Sequence, residues 1–162
     1  MIIDPAHDRD LPAILEIHNH EIREGTSLWN TRERTLPEMR AWFEERRSGG
    51  CPVLAARAEG ALIGYGGYGS FRRHDGYAFT AEHSLYVTPQ ARGRGVGRVL
   101  LIAVIENARQ SGKHAMVGAI EAGNAPSIAL HRSLGFRETA RMPEVGRKFD
   151  RWLTLVMMQL LL

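Results

Sequence analysis

The chain has 162 residues, a length that suits one domain with one substantial hydrophobic core. Its formal net charge is +3 and rests on arginine, because Lys113 and Lys148 are the only lysines; a nucleic-acid-binding tail is therefore not expected. Cys51 is the single cysteine, which excludes an intrachain disulfide and a cysteine-rich metal site. Apolar runs are too short for a signal peptide or membrane span, so we expect a cytoplasmic protein.

The first third of the chain predicts one strand followed by two helices. A short strand near Met1–Asp4 leads to a helix from about Arg9 to Arg23, for which Asp8 is the expected N-cap. A second helix is predicted from about Leu36 to Arg47, with Thr35 as its N-cap.

The middle of the chain predicts a hairpin, a third strand and a turn that enters a helix. Pro52–Ala58 and Ala61–Tyr68 form a hairpin around Glu59-Gly60, and Thr80–Val87 follows as a strand of alternating character. The helix that begins near Val96 has an apolar residue at every third or fourth position and is expected to end at Gly112.

The last third of the chain completes a sheet. His114–Ile120 is predicted as a buried strand, and Asn124–Leu134 as a short helix that ends at Gly135. Phe136–Met142 and Trp152–Gln159 are predicted as the last two strands. The chain shows no repeat and no linker, so we expect a single domain over residues 1–162.

The turn between the third strand and the long helix is the most informative local motif. Residues 90–97 read Gln-Ala-Arg-Gly-Arg-Gly-Val-Gly, and glycines before a helix N-terminus let backbone N–H groups approach an anion. The motif is neither a P-loop nor the dinucleotide fingerprint. It predicts a polyphosphate site for a nucleotide or coenzyme, with these candidate contacts: Arg92, Gly93, Arg94, Gly95, Val96, Gly97 and Arg98.

The spacing of this loop, Arg-x-x-Gly-x-Gly, resembles the acetyl-CoA loop of the Gcn5-related N-acetyltransferases. The predicted element order, β-α-α-β-β-β-α-β-α-β-β, resembles theirs along nearly the whole chain. The resemblance implies a single-domain α/β fold with a mixed sheet of six to seven strands and about four helices. It also implies acetyl-CoA as co-substrate, no metal, and a homodimer.

Three segments are similar to the phosphinothricin and methionine sulfoximine/sulfone acetyltransferases within that superfamily. They are Ala81–Val87, Gly123–Phe136 and Val145–Trp152, with Asp150 standing where glycine is common. This resemblance implies acetylation of the α-amine of a small amino acid that carries a tetrahedral phosphorus or sulfur group.

The Gly123–Phe136 segment is predicted to contact the pantetheine arm of the coenzyme. Asn124, Ser127 and His131 lie three and four positions apart, so they share one helix face. Asn124 is expected to bond an amide of the arm in addition to its ordinary capping role. His131 is expected near the sulfur, where it would donate a proton to the leaving thiolate, although many histidines on half-buried faces are purely structural.

The alternating strand predicts the base and the acetyl site. Acetyl transfer needs an uncharged amine, and Glu82 is the candidate group that removes the proton. Glu82, Ser84 and Tyr86 share one face, and Ala81, His83, Leu85 and Val87 share the other. Backbone groups of Leu85, Tyr86 and Val87 are expected to pair with the pantetheine, and an N–H near Leu85 to hold the developing oxyanion.

The substrate pocket is expected around a basic segment after the hairpin. Arginine binds carboxylates and tetrahedral oxyacids in bidentate fashion, so an acidic substrate head group is predicted. The family's early loop also matches here. The candidate substrate contacts are Thr26, Trp29, Arg72, Arg73, His74, Glu82, His83 and Ser84.

Three other functions remain open from the sequence. A polyamine or aminoglycoside substrate would need an acidic pocket, which the arginines disfavour. Acetylation of a protein N-terminus would need an open peptide groove. A CoA-binding sensor without activity would keep the glycine loop but would not need Glu82. The histidines are scattered and do not have metal-ligand spacing.

Overall fold

The computed structural model describes residues 1–162 and is built on one seven-stranded sheet. The strands are β1 (Ile2–Pro5), β2 (Val53–Ala58), β3 (Ala61–Ser70), β4 (Thr80–Val87), β5 (Ala115–Glu121), β6 (Arg137–Lys148) and β7 (Arg151–Leu161). The helices are α1 (Leu11–Glu24), α2 (Leu36–Ser48), α3 (Val96–Gln110) and α4 (Ala125–Ser133). The predicted α/β class and element order are confirmed.

The sheet separates into a wedge at its centre. The strand order is β1-β2-β3-β4-β5-β7-β6, and every neighbouring pair is antiparallel except β4 and β5. These two parallel strands are paired only from Thr80–Ala115 to His83–Gly118. Beyond that point β4 continues to Val87 and β5 to Glu121 without pairing to each other. The two strands therefore leave an opening at their carboxyl ends.

Helices cover both faces of the sheet and form two cores. Leu11 and Ile14 of α1 and Met39 of α2 are fully buried against one face. On the other face α3 buries Leu100 and Leu101 beside the end of α4. Each such aliphatic side chain contributes about 1.5–3 kcal/mol relative to exposure. This packing fixes both borders of the wedge.

Local signals place most element ends correctly. Thr35 caps α2 and completes a capping box with Glu38, because the side chain of each residue accepts a hydrogen bond from the backbone N–H of the other. Glu59 and Gly60 both have positive φ, 52° and 80°, as a tight β2–β3 hairpin requires. Gly112 has φ 72° after the end of α3.

The start of α1 differs from the prediction. The chain forms a 3₁₀ turn over Asp8–Asp10 before α1 starts at Leu11, so Asp8 is not its cap. The carboxylate of Asp10 instead accepts from the His7 N–H and pairs with Arg57. The ion pair with Arg57 of β2 stabilises the 3₁₀ turn.

The strand β6 is longer than predicted and reaches Lys148. A proline such as Pro143 usually ends a strand. Here the strand continues, because the pairing with β7 is interrupted between Met142 and Gly146, where Glu144 has φ 55°. The following turn to β7 holds Phe149 and Asp150 at φ 50° and 56°. Aspartate tolerates this conformation better than most residues, which accounts for Asp150 at a position where glycine is common.

Candidate active site

The glycine loop enters α3 with its backbone open to solvent. Gly93 and Gly95 have φ 73° and 80°, and a Cβ built on either would meet nothing within 4 Å. Gly95 is the N-cap of α3, and no side chain caps the first helical turn. The N–H groups of that turn are therefore available to an anion, with the helix dipole adding to their attraction. The loop fits the phosphates of a coenzyme.

A cavity of about 630 Å³ occupies the wedge between β4 and β5. Ser84 and Tyr86 border it from the strand face that carries Glu82, and His83 and Leu85 from the opposite face. The cavity thus connects the two sides of the sheet. Its other borders come from α1, the glycine loop, β5 and α4: Glu21, Ser27, Val87, Ala91, Arg92, Gly93, Gly95, Val96, Gly97, Arg98, Ala119, Ile120, Glu121, Asn124, Pro126, Ser127, Leu130 and His131.

The structure brings nearly all predicted coenzyme residues to this cavity. Among them only Arg94 does not border it. Asn124 caps α4, because its Oδ1 accepts from the Ser127 N–H at 3.2 Å. The amide nitrogen of Asn124 makes no hydrogen bond within the chain and remains free to donate into the cavity.

Arg92 is engaged within the chain in a way that the sequence did not predict. Its guanidinium forms an ion pair with the buried carboxylate of Glu21, and its Nε donates to the Val87 carbonyl at 3.2 Å. Arg92 still borders the cavity and is half exposed. Its guanidinium therefore joins the end of α1 to the end of β4 and the glycine loop.

A buried pair of histidines lies between β4 and α4. The Nε2 atoms of His83 and His131 are 3.0 Å apart, and the rings stack with centroids 5.0 Å apart. Gly118 of β5 makes room for them, since a Cβ there would lie 2.7 Å from His83 Nε2. Burial lowers the pKa of His83 to about 3 and also lowers the pKa of His131. Both rings are neutral at pH 7.

The hydrogen bonds of this pair fix its tautomers. His131 Nδ1 lies 2.7 Å from the Ser127 carbonyl oxygen, which can only accept, so Nδ1 carries the proton. His131 Nε2 then accepts from His83 Nε2–H, and the buried His83 Nδ1 has no partner. In this arrangement the N–H of His131 is directed at the Ser127 carbonyl, and the acid role of His131 stays a prediction. The His83 ring contacts His131 and lies on the face of β4 opposite to Glu82, although His83 was predicted to contact the amino-acid substrate.

Glu82 lies on the face of β4 opposite to His83, and Arg72 lies in the loop that precedes β4. Its side chain is half buried, and burial raises its pKa, while the charges of Arg72 and Arg46 oppose that rise. Arg72 is exposed and stacks over Phe71 at 5.0 Å. The charge of Arg72 acts on the Glu82 carboxylate, and neither residue borders the wedge cavity.

The remaining predicted substrate residues divide into two groups. Arg73 and His74 are exposed, and their side chains make no hydrogen bond or ion pair. Thr26 and Trp29 lie in the loop after α1, where Trp29 Nε1 donates to the Thr26 carbonyl at 2.9 Å. The Trp29 ring packs directly over Gly146 of β6, where any Cβ would overlap it.

Lys148 holds this loop and was not predicted as a site residue. It is 4% exposed, and its Nζ donates to the carbonyls of Glu21, Gly25 and Leu28 at 3.1, 2.7 and 2.5 Å. Burial lowers the pKa of Lys148, and the Glu21 carboxylate opposes that shift. No local pattern indicates these contacts, although Lys148 stands out in the sequence as one of only two lysines.

Glu21, Ser27 and Ala119–Glu121 also border the cavity and were missed by sequence reasoning. Glu21 falls within an amphipathic helix, where a glutamate normally faces solvent. Its buried carboxylate pairs with Arg92, and its backbone carbonyl accepts from Lys148; both partners come from distant segments. The described chain contains no group of three His, Cys, Asp or Glu side chains that could hold a metal ion.

Replacing Gly95 with Leu is expected to raise the KM for acetyl-CoA by about tenfold or more, because charged hydrogen bonds contribute about 1.5–3 kcal/mol. The side chain would occupy the open space in front of the α3 N-terminus and strain φ 80°. Gly60→Leu is the matched control, since Gly60 has the same φ and open surroundings in a hairpin outside the cavity. Equal KM values in both variants would contradict the loop's role.

Comparisons with known proteins agree on one family. Residues 14–136 match the acetyltransferase (GNAT) family. The methionine sulfoximine/methionine sulfone acetyltransferase of Salmonella typhimurium (strain LT2) is 48% identical over 99% of this chain and 94% of that protein. The phosphinothricin N-acetyltransferase of Alcaligenes faecalis is 37% identical over 94% of this chain and 78% of that protein.

Solved structures show the same fold. A ribosomal-protein-alanine N-acetyltransferase from Brucella melitensis superimposes with a TM-score of 0.98 at 45% identity and covers 100% of both chains. An acetyltransferase from Salmonella typhimurium, solved with acetyl-CoA, has a TM-score of 0.97 at 47% identity, over 99% of this chain and 92% of that one. None of the helices in the present chain has the length and apolar character to cross a membrane.

Proposed function

The chain belongs to the acetyltransferase (GNAT) family, and we propose that it transfers the acetyl group of acetyl-CoA to the α-amine of a small amino acid. The proposed substrates are methionine sulfoximine, methionine sulfone and phosphinothricin, for which relatives are named. One observation carries the proposal. The wedge between β4 and β5 is bordered by the glycine loop. Glu82 lies on β4, and the charges of Arg72 and Arg46 act on its carboxylate.

The glycine loop and the open strand edges bind the coenzyme in this proposal. Backbone N–H groups from Gly93 to Arg98 contact the phosphates, as the uncapped α3 N-terminus allows. The edges of β4 beyond His83 are unpaired toward β5, so Leu85–Val87 can accept the pantetheine like an added strand. The free amide of Asn124 and the hydroxyl of Ser127 complete the contacts from α4.

Glu82 acts as the base in the proposed reaction. Its carboxylate takes a proton from the substrate ammonium, and the neutral amine attacks the thioester carbon directly while both substrates are bound. A raised pKa suits this role, because it brings the base closer to the operating pH. The C–S bond then breaks, and the leaving thiolate receives through water the second proton that the amine nitrogen loses, since both ring nitrogens of His131 are engaged. Cys51 is buried outside the cavity and forms no acyl-enzyme.

Arg72 is the proposed anchor for the acidic end of the substrate. Arg72→Ala is expected to raise the KM for the amino acid by about 10- to 150-fold, which corresponds to about 1.5–3 kcal/mol for a charged hydrogen bond. The KM for acetyl-CoA should not change. Arg109→Ala is the control, because Arg109 lies at the exposed end of α3 and makes only a 3.9 Å ion pair. A polyamine as the preferred substrate would contradict this assignment.

The proposed activity can be tested by measuring thiol release from acetyl-CoA across a panel of amines. Methionine sulfone, methionine sulfoximine and phosphinothricin should support release, whereas spermidine and an aminoglycoside should not. A peptide with an N-terminal alanine tests the second candidate, which the similarity to the Brucella melitensis enzyme favours. Coenzyme binding without thiol release from any amine would indicate a sensor instead.

The proposed working unit is a cytoplasmic homodimer in which residues 1–162 form one domain. All seven strands, from β1 near the N-terminus to β7 near the C-terminus, belong to one sheet, which supports the single domain. Apolar side chains of the β6–β7 hairpin are left exposed, with Val145 at 54% and Trp152 at 62%, and a second copy is the proposed cover. Light scattering after size-exclusion chromatography would measure the assembly, and the mass of one chain would contradict the dimer.

A further inference from the structure

The guanidinium of Arg46 lies directly over the backbone of Gly69 in β3. A Cβ built on Gly69 would overlap the Arg46 Nη1 and Cζ atoms. Gly69 does not have a positive φ, so its backbone conformation does not itself require glycine. The missing side chain therefore serves to make room for Arg46, which reaches the sheet from the last turn of α2.

The position of Gly69 brings this guanidinium next to the proposed base. Gly69 pairs with Glu82 in the antiparallel β3–β4 register. Directly paired residues project on the same face with Cβ atoms about 4.5–5.5 Å apart. Arg46 thus occupies the space beside the Glu82 side chain that a residue at position 69 would otherwise fill. Its charge and that of Arg72 both act on the Glu82 carboxylate.

Neither arginine has an acceptor of its own. The side chains of Arg46 and Arg72 make no hydrogen bond and no ion pair in the chain. Arg46 is half buried and only stacks over Trp42 at 5.9 Å. By contrast, the buried Arg57 pairs with both Asp4 and Asp10. A partly desolvated guanidinium with five free donors is suited to bind an anion.

We infer that Arg46, seated over Gly69, is a specificity-determining residue that binds the acidic group of the amino-acid substrate together with Arg72. The inference rests on the proposed function and adds a second cation, contributed by α2 rather than by the loop after β3. Two guanidinium groups at one carboxylate or oxyacid select acidic amines over neutral and cationic ones. The same placement keeps the substrate amine next to Glu82.

The test compares two substrates that differ in one charge, methionine sulfone and its α-carboxamide. Arg46→Gln is expected to lower kcat/KM for the acid by about 10- to 150-fold, the range for one charged hydrogen bond. The decrease for the amide should be smaller, so the acid-to-amide ratio falls. The KM for acetyl-CoA should stay constant. Arg40→Gln is the control, because Arg40 is an exposed arginine on the same helix without a partner.

Gly69→Ala provides a second variant, which keeps the Arg46 guanidinium but fills the space that the guanidinium occupies over residue 69. Gly69 does not have a positive φ, and the three atoms nearest to an added Cβ all belong to the end of the flexible Arg46 side chain, so the protein should fold. The guanidinium must then move away from Glu82, and the acid-to-amide ratio should fall as in Arg46→Gln. Circular dichroism and urea unfolding would confirm that both variants are folded.

The outcomes separate this inference from the proposed function. A wild-type enzyme that acetylates no amino acid would overturn both. An active wild type whose acid-to-amide ratio is unchanged in folded Arg46→Gln and Gly69→Ala would overturn the inference alone. Equal losses for acid and amide in Arg46→Gln would show that Arg46 packs on Trp42 and Gly69 without binding the substrate anion.

Discussion

Replacing Glu82 with Gln is expected to lower kcat at pH 7 by about 100- to 10,000-fold, the usual effect of losing a positioned base. The amide cannot remove a proton from the substrate ammonium, so most bound substrate stays in the unreactive form. Activity should partly recover at high pH, where the free amine is already present. The measurement is a pH–rate profile with acetyl-CoA saturating, and Glu106→Gln on the exposed surface of α3 is the control.

The pH–rate profile of the wild-type enzyme should show the titration of the Glu82 carboxyl group. Burial raises the pKa of Glu82, with Arg72 and Arg46 opposing, so the acidic limb of kcat/KM should lie above the ordinary range for glutamate. Tyr86 on the same face has its pKa raised to about 12 and stays neutral there. A Glu82→Gln enzyme with an unaltered profile would remove Glu82 from the mechanism.

The stability of the same variant distinguishes catalysis from folding. A carboxyl group with a raised pKa in the folded state stabilises the fold fully below its unfolded pKa. That contribution is lost as the pH rises through the folded pKa. The ionised form of Glu82 therefore disfavours folding near pH 7. Glu82→Gln should unfold at the same or a higher urea concentration than the wild type at that pH, despite its loss of activity.

Lys148→Met is expected to destabilise the protein by at least about 1–3 kcal/mol, the cost of leaving a buried acceptor without its donor. The methionine fills the space of the lysine stem but leaves the carbonyls of Glu21, Gly25 and Leu28 without their donor. Urea unfolding followed by circular dichroism measures the change. Lys113→Met should stay within about 0.5 kcal/mol of the wild type, because Lys113 bonds only the Ala78 carbonyl at the surface.

A loss of function is expected to accompany that loss of stability. Lys148 fixes the loop that carries Thr26 and Trp29, and Glu21 at its start joins the glycine loop through Arg92. At a temperature where Lys148→Met remains folded, the KM for the amino acid should rise. A folded variant with unchanged stability would show that water replaces the ammonium at these three carbonyls.

Sequence reasoning succeeded where the structural cause is local. The capping box of Thr35, the turn at Glu59-Gly60 and the glycine loop before Val96 each depend on residues within a few positions. Apolar periodicity likewise marks the buried face of α3. Such signals predict the element order and the glycine loop, and the motifs along the chain indicate the family.

The sequence by itself therefore determined the element order, the glycine loop and the presence of Glu82 on a strand beside it. Only the tertiary structure decided the partners of the buried polar groups. His83 and His131 are 48 positions apart, and Lys148 and Glu21 are 127 apart. A buried polar group must be satisfied by whatever the packed fold brings within hydrogen-bond distance, and no local pattern encodes that choice. For the same reason the sequence does not show that Arg46 lies over Gly69, which pairs with Glu82 only in the folded sheet.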